Sequence, residues 1–149
     1  MTLKLDVDVK NATAIGQVPG GMRRIVPING GEFSGDQLNG KVLPGGADWV
    51  MHRVDGVMRI DVRICLQTED DVLIYLNYQG RFILKEEAGE RLAAGETLAE
   101  DEFSLAMVAN FECSDKRYRW LNDVIAVGVG AQLGWNPVYD IYQIGNDVA

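Results

Sequence analysis

A set of polar and aromatic side chains interrupts otherwise apolar segments, and these residues could do chemistry. They are Arg23, Arg24, Asp48, Trp49, Arg53, Asp61, Arg63, Tyr75, Asn77, Tyr78, Glu112, Tyr118, Trp120 and Asn122. Such a set suits a pocket for a small organic ligand, because rings supply apolar contact area while amides and charges fix orientation. The alternative is that the aromatic rings fill the core and the Arg–Asp pairs lie on a solvated face. Taken together, the residues favour a pocket.

The segment VLPGGADW, residues 42–49, places a carboxylate directly behind a glycine corner. Glycine tolerates backbone conformations that other residues avoid, so Gly45 and Gly46 can hold a tight turn. Partial burial beside Trp49 would raise the pKa of Asp48 towards working pH and suit it to proton transfer. Asp48 could equally cap the turn through its own backbone. The sequence leaves both interpretations open.

The residues divide into expected roles. Asp48 is the candidate proton-transfer group, and Arg24 or Tyr75 is expected to stabilise developing negative charge on an oxygen. The expected ligand-binding residues are Arg23, Trp49, Arg53, Asn77, Tyr78, Trp120 and Asn122. The sequence does not decide which of the three arginines in these sets faces inward. We expect Asp48 and Trp120 to share one pocket, since a barrel brings distant strands around a common interior.

The chain lacks the residues that several kinds of chemistry require. The chain has one histidine, His52, so two-histidine metal sites are excluded and no metal is expected. The pattern in WVMHRV predicts a packing or surface role for His52. The glycines at 128, 130 and 134 have the wrong spacing for a dinucleotide fingerprint, so a bent strand is the better interpretation. No cofactor is expected.

Alternating apolar and polar residues predict an all-β protein. About nine strands are expected, at residues 3–9, 22–28, 41–43, 49–54, 57–68, 72–84, 103–113, 118–132 and 138–144. Asp55-Gly56 predicts a hairpin turn, and Gly80 predicts a bend or bulge. Residues 85–94 form the one helical candidate, a turn or two at most. Abundant glycine, 17 residues, favours a closed antiparallel barrel.

Length and charge indicate how many domains the chain has and which partners are excluded. The 149 residues predict one domain, residues 1–149. A net charge of −8 repels phosphate backbones and anionic membranes, so neither nucleic acid nor membrane is an expected partner. The N-terminus lacks a hydrophobic signal region, which predicts a cytoplasmic location. Cys65 and Cys113 are therefore expected to be buried free thiols.

Three stretches carry a family resemblance: PGGMRRIVPINGGEFSGDQLNGKVLPGGADWV, LIYLNYQGR and YRWLND. In this order they resemble the uncharacterised bacterial family called domain of unknown function 3237, or uncharacterised protein family 0311. The resemblance runs from about Leu3 to Ile144. It implies a small β-barrel, similar in architecture to lipocalin-like and allene-oxide-cyclase-like folds, and often a homo-oligomer. It implies no reaction. Glu69-Asp70-Asp71 departs from the Asp-Gly hairpin turn usual in the family.

Three hypotheses about function follow. The first is a cofactor-independent enzyme acting on a small organic metabolite, as an isomerase, a cyclase or a hydrolase of a lactone or enol. The second is a non-catalytic barrel that binds a small ligand with the same residues. The third is a structural or oligomer-forming protein with a dry core.

Overall fold

The computed structural model describes residues 1–146, apart from the side chain of Gln132. Its strands are β1 Thr2–Val7, β2 Thr13–Val18, β3 Gly21–Ser34, β4 Gly40–Val42, β5 Gly46–His52, β6 Met58–Thr68, β7 Leu73–Leu84, β8 Phe103–Glu112, β9 Ile125–Gln132 and β10 Val138–Ile144. One short helix, α1 Ala88–Ala93, follows β7, and 3₁₀ turns lie at Val9–Asn11 and Arg119–Asp123. Within the described residues, no helix is long and apolar enough to cross a bilayer.

The strands form a closed antiparallel barrel. Eight of them pair in a circuit, β1-β10-β9-β8-β7-β6-β5-β3, and β3 pairs again with β1. The two remaining strands lie beside this circuit: β2 pairs with β3, and β4 pairs with both β3 and β6. Every pairing is antiparallel, as the alternating sequence predicts for strands with one solvated face.

Alternation decides which side chains fill the barrel. Along β6, Ile60, Val62, Ile64 and Leu66 are buried, while the residues between them are more exposed. The same pattern holds along β7 and β8. The apolar face of each strand therefore points inward, and the central part of the barrel is a packed core with a cavity at each end.

The predicted all-β barrel with at most one short helix is confirmed. The Asp55-Gly56 turn is also confirmed: Gly56 has φ 85°, and the Arg53 N–H donates to the Val57 carbonyl at 3.0 Å. At the family departure, Asp71 adopts φ 64° in the turn between β6 and β7. Both cysteines are free, but only Cys113 is buried and Cys65 is partly buried.

Two predictions about elements are wrong, and one strand was not predicted. The sequence did not indicate β2, since TAIGQV is exposed or partly exposed throughout and has no buried face to produce alternation. The strand expected at residues 118–132 begins only at Ile125, because the residues before it form a 3₁₀ turn. Gly80 causes no bulge, as β6 and β7 keep one register past it. A Cβ there would lie 2.4 Å from the Ala106 carbonyl oxygen, so close strand approach explains this glycine.

Candidate functional site

A cavity of about 460 Å³ opens at one end of the barrel. Most of its lining is aliphatic or aromatic and comes from the inward faces of the barrel strands. The polar side chains in that lining are Arg24, Asp48, His52, Tyr78, Trp135 and Tyr139. Helix α1 contributes Leu92 at the mouth, where Trp135 Nε1 donates to the Leu92 carbonyl at 3.1 Å. A mainly apolar cavity with few convergent polar groups is the usual form of a small-molecule site.

The glycine corner before β5 aims Asp48 into this cavity. Gly45 has φ 107°, a conformation that favours glycine. A Cβ at Gly46 would lie 2.5 Å from the Arg63 carbonyl oxygen, so glycine lets β5 approach β6 closely. Beyond the corner, Asp48 lines the cavity while Trp49 faces outward, with the Arg63 guanidinium 5.1 Å from its ring. The corner therefore delivers the acid inward and the indole outward.

Asp48 lies at the edge of a gap in the strand pairing. Strands β5 and β6 pair at Ala47 and Asp48 and again at Met51 and His52, but not between. In this gap Oδ1 of Asp48 accepts a hydrogen bond from the Asp61 backbone N–H at 3.0 Å. The carboxylate thus bonds across to the next strand and does not cap its own turn.

The surroundings of Asp48 raise its pKa to about 6. Burial has the largest effect, because it disfavours the charged form. The Asp61 N–H and the Arg24 charge oppose this effect, and the Asp61 charge adds to it. A carboxyl group with a pKa near 6 can both accept and donate a proton close to neutral pH.

Arg24 and His52 form a second polar pair in the cavity. Nε of Arg24 donates to Nε2 of His52 at 3.0 Å, so the His52 proton is placed on Nδ1. Burial lowers the pKa of His52, and the charge of Arg24 lowers it further. The imidazole is therefore neutral near pH 7 and orients the guanidinium, which remains the cationic group of the cavity.

Two tyrosines complete the polar lining. The rings of Tyr78 and Tyr139 meet edge to face with centroids 5.5 Å apart, and both are buried. Burial raises the pKa of both hydroxyls, with Asp48 adding to the effect, so both stay protonated. The Tyr78 hydroxyl makes no hydrogen bond of normal geometry among residues 1–146, although the Tyr139 hydroxyl lies close enough to raise its pKa. A buried hydroxyl without a well-formed hydrogen bond is costly. Because the oxygen has almost no accessible surface, a ligand oxygen would accept from it only after a small movement of the neighbouring side chains.

Of the ten predicted site residues, the structure brings three together in the cavity: Arg24, Asp48 and Tyr78. Four others lie outside it: the inward positions expected for Tyr75, Asn77 and Trp49 are wrong, and Arg23, whose direction the sequence left open, points outward. Tyr75 is 36% exposed and, like Asn77, lies on the outer face of β7. Trp49 faces outward, and Arg23 donates to its carbonyl oxygen at 2.7 Å. Each of the four alternates along its strand with residues that line the cavity or are buried, as Trp49 does with Asp48 and Val50, so alternation turns them away from the interior.

The remaining three predicted residues lie elsewhere. Arg53 forms an ion pair with Asp55 in the β5–β6 turn. Trp120 lines the cavity of about 250 Å³ at the other end of the barrel, and the residues described for that cavity do not include Asp48. The prediction that Asp48 and Trp120 share a pocket is therefore wrong. Asn122 binds the backbone of Cys113, accepting from its N–H at 2.9 Å and donating to its carbonyl at 2.8 Å.

Sequence reasoning missed His52, Trp135 and Tyr139 as cavity residues. His52 was expected to be a packing or surface residue, but it follows Asp48 by four positions on one strand and so shares its face. That spacing was a usable signal. Tyr139 lies in an apolar strand and had no such signal. Among the described residues, no group of three or more His, Cys, Asp and Glu side chains could hold a metal ion.

The fold and this cavity define a closed β-barrel with an acid, a guanidinium and two phenols at one end of its interior. The chain belongs to the family described as protein of unknown function DUF3237, which matches residues 1–144. A UPF0311 protein of Clostridium acetobutylicum is 31% identical over 124 residues, which are 83% of this chain and 78% of that protein.

Solved structures share the fold. The crystal structure of a β-barrel like protein from Acinetobacter baumannii matches with a TM-score of 0.81 and 35% identity, covering 95% of this chain and 90% of that one. A structure described as an enzyme from Penicillium herquei matches with a TM-score of 0.67 and 20% identity, covering 95% and 91%. At that identity the likeness extends to the fold alone.

Proposed function

We propose that the barrel binds a small, mainly apolar organic molecule with a carbonyl or enol oxygen, and that Asp48 moves a proton on it. The observation that carries the proposal is the Tyr78 hydroxyl, which makes no hydrogen bond of normal geometry and is buried beside the cavity that Asp48 lines. A folded protein ordinarily pairs its buried polar groups. A ligand oxygen that accepts from Tyr78 would supply the missing partner, and the apolar walls would bind the rest of the molecule.

The groups around this point suit proton abstraction next to a carbonyl. Ionised Asp48 removes a proton from the carbon beside the carbonyl, and the C–H electron pair forms the C=C bond of an enolate. The carbonyl oxygen gains the negative charge, which the Tyr78 O–H and the Arg24 guanidinium stabilise. Protonated Asp48 then returns the proton to the oxygen or, where the enolate is conjugated with a second C=C bond, to the far carbon of that conjugated system. The reaction class is therefore isomerisation, or cyclisation through the same enolate.

Apolar walls strengthen each of these interactions, because charges interact more strongly where water is excluded. They also explain why Asp48 has a pKa near 6, which leaves it mostly ionised at pH 7 yet basic enough to abstract a proton. The His52–Arg24 hydrogen bond holds the cation in position. A structure described as an enzyme from Penicillium herquei has the same fold. The proposal for this chain depends on the cavity of this chain.

The test uses 2-tetralone, an enolisable bicyclic ketone, in D₂O. Proton NMR follows replacement of its α-hydrogens by deuterium, and saturation-transfer NMR measures binding separately. The wild-type protein should accelerate exchange, with a rate that rises with pH and levels off above about 6 as Asp48 ionises. Asp48→Asn should bind the ketone but lose the acceleration by roughly 100-fold or more. Asp6→Asn, on the outer face of β1, is the matched control and should exchange as wild type does.

Binding without exchange in the wild-type protein would contradict proton transfer and favour a non-catalytic binding barrel. Absence of binding to 2-tetralone and to the smaller ketone cyclohexanone would contradict the ligand cavity itself. Equal loss of exchange in Asp48→Asn and Asp6→Asn would show that charge, and not position, is responsible.

A further inference from the structure

The outer face of the barrel across strands β8, β9 and β10 is unusually apolar. We define this face by Val108, Ile125, Val129, Tyr142 and Ile144. Their exposed fractions are 50%, 54%, 48%, 57% and 50%. An antiparallel strand with one face in water normally alternates apolar and polar residues, whereas a strand covered on both faces is apolar throughout. Strand β9, with the sequence IAVGVGAQ, is of the second kind.

We propose that this β8–β10 face is covered by the same face of a second copy of the chain, in a twofold dimer. Strand pairing arranges three residues of this face, together with their neighbours on β7 to β10, in two rows that run across the sheet. One row is Asp140–Val129–Ala106–Arg81, through β10, β9, β8 and β7. The next row is Tyr142–Val127–Val108–Gln79 on the same four strands.

These rows are complementary to themselves. A twofold axis that lies in the interface, along the boundary between β8 and β9, exchanges the two ends of each row. Asp140 of one copy then faces Arg81 of the other, and Tyr142 faces Gln79. In the centre, Val127 meets Val108 and Val129 meets Ala106. An apolar centre with opposite charges at its two edges is what a self-complementary interface requires.

The surroundings of the two charged residues leave them free for this contact. The Asp140 carboxylate accepts from the Thr2 hydroxyl at 2.9 Å, and Nη1 of Arg81 donates to the Gly80 carbonyl at 3.0 Å. Neither bond uses all of the hydrogen-bonding capacity of the charged group. The net charge of −8 opposes association, but that repulsion acts between whole molecules and is screened over about 8 Å at physiological salt.

The experiment is sedimentation velocity on the full chain over a range of protein concentrations. Wild type should sediment with twice the 16.4 kDa mass of the chain. Val108→Lys should dissociate the dimer. Arg81→Glu should raise its Kd roughly tenfold or more, since it sets two carboxylates opposite each other, and the double variant Arg81→Glu, Asp140→Arg should restore association. Lys41→Glu on β4 makes the same charge change away from the face and should leave the dimer intact.

Circular dichroism and urea unfolding of each variant establish that dissociation is not unfolding. A wild-type protein with the mass of one chain at every concentration would overturn the proposal. A dimer that persists in Val108→Lys would place the interface on another surface, which overturns it as well. Failure of the double variant to associate better than Arg81→Glu would refute the pairing of Arg81 with Asp140.

Discussion

Oδ1 of Asp48 lies 3.0 Å from the backbone nitrogen of Asp61 and accepts its hydrogen bond at the edge of the unpaired stretch between β5 and β6. This bond fixes the direction of the carboxylate and favours its ionised form. Burial opposes ionisation and has the larger effect, so the pKa is raised to about 6. The protein thus holds a carboxylate in an environment that destabilises its charge, a common feature of sites where a proton is transferred.

Asp48→Asn should stabilise the protein at alkaline pH. The pKa of Asp48 is about 6 in the folded protein, against an ordinary value of 3.8, so the folded state binds the proton more tightly. Stability therefore falls as pH rises from about 4 to about 6 and stays low above that. The difference in pKa corresponds to about 3 kcal/mol at most. Urea unfolding at pH 8 should show the variant to be more stable by about 1–3 kcal/mol, with the advantage gone at pH 4.

Asp6→Asn removes the same charge from the exposed outer face of β1 and is the control for net charge. It should change stability by no more than about 0.5 kcal/mol at either pH. A pH-independent effect of Asp48→Asn would indicate that Asp48 is not destabilised by burial.

The sequence predicts the barrel and its acid for separate physical reasons. Alternation along β6 and β8 reports directly which face is buried, since each inward residue must be apolar. The corner before Asp48 was predictable because two successive glycines in an apolar segment indicate a local structural requirement. Gly45 has a positive φ that favours glycine, and Gly46 lets β5 approach β6 closely. Local rules therefore sufficed for these elements.

The rest of the site depends on relations between strands that no local pattern contains. In LIYLNY, Tyr75 and Asn77 share a face, but the buried face is the one with Ile74 and Leu76, which also carries Tyr78. Tyr139 reaches the cavity because β10 closes the circuit against β1. Trp120 lies at the opposite end because the chain forms a 3₁₀ turn there.

Tyr78→Phe should leave the empty protein as stable as wild type or more stable, by up to about 1 kcal/mol. The ring packing against Tyr139 is retained, while the change removes a buried hydroxyl that makes no hydrogen bond of normal geometry among residues 1–146. The same variant should slow the exchange of 2-tetralone roughly 100-fold, because it loses the donor to the developing oxyanion. Thermal unfolding and the NMR exchange assay measure the two effects.

Tyr75→Phe is the control, since Tyr75 is 36% exposed on the outer face of β7 and is not among the residues of the β8–β10 face. It should alter neither quantity. A loss of more than about 1 kcal/mol in Tyr78→Phe would show that the hydroxyl makes a stabilising hydrogen bond, and the site would have to be described anew.

Asn122→Ala should destabilise the fold without affecting the ligand cavity. The Asn122 side chain makes three hydrogen bonds to backbone: it accepts from the Cys113 N–H and donates to the carbonyls of Cys113 and Arg119, at 2.8–2.9 Å. These bonds hold the 3₁₀ turn to the end of β8. Their loss should cost about 1–3 kcal/mol in urea unfolding, and Asn77→Ala on the outer face of β7 should cost less. Weaker binding of 2-tetralone by Asn122→Ala, at conditions where it is folded, would contradict a purely structural role.

Gly46→Ala should lower the stability of the fold and change the pKa of Asp48, because there is no room for a Cβ at this position. An added Cβ would lie 2.5 Å from the Arg63 carbonyl oxygen and 2.6 Å from Ile64 Cγ2, so β5 must move away from β6. We expect a loss of about 1–3 kcal/mol in urea unfolding. The same movement would lengthen the bond from Asp61 to Asp48, and carboxyl ¹³C NMR should then find a changed pKa for Asp48.

Gly30→Ala on β3 is the matched control, because a Cβ there would meet only the Val42 carbonyl oxygen, at an ordinary contact distance of 3.5 Å. It should be neutral or slightly stabilising, since alanine restricts the unfolded chain more than glycine does. If Gly46→Ala lost stability but Asp48 titrated as in wild type, the bond to Asp61 would be independent of the corner. The glycines of VLPGGADW would then serve only to bring two strands together, and the position of the acid would be set by the gap in the β5–β6 pairing.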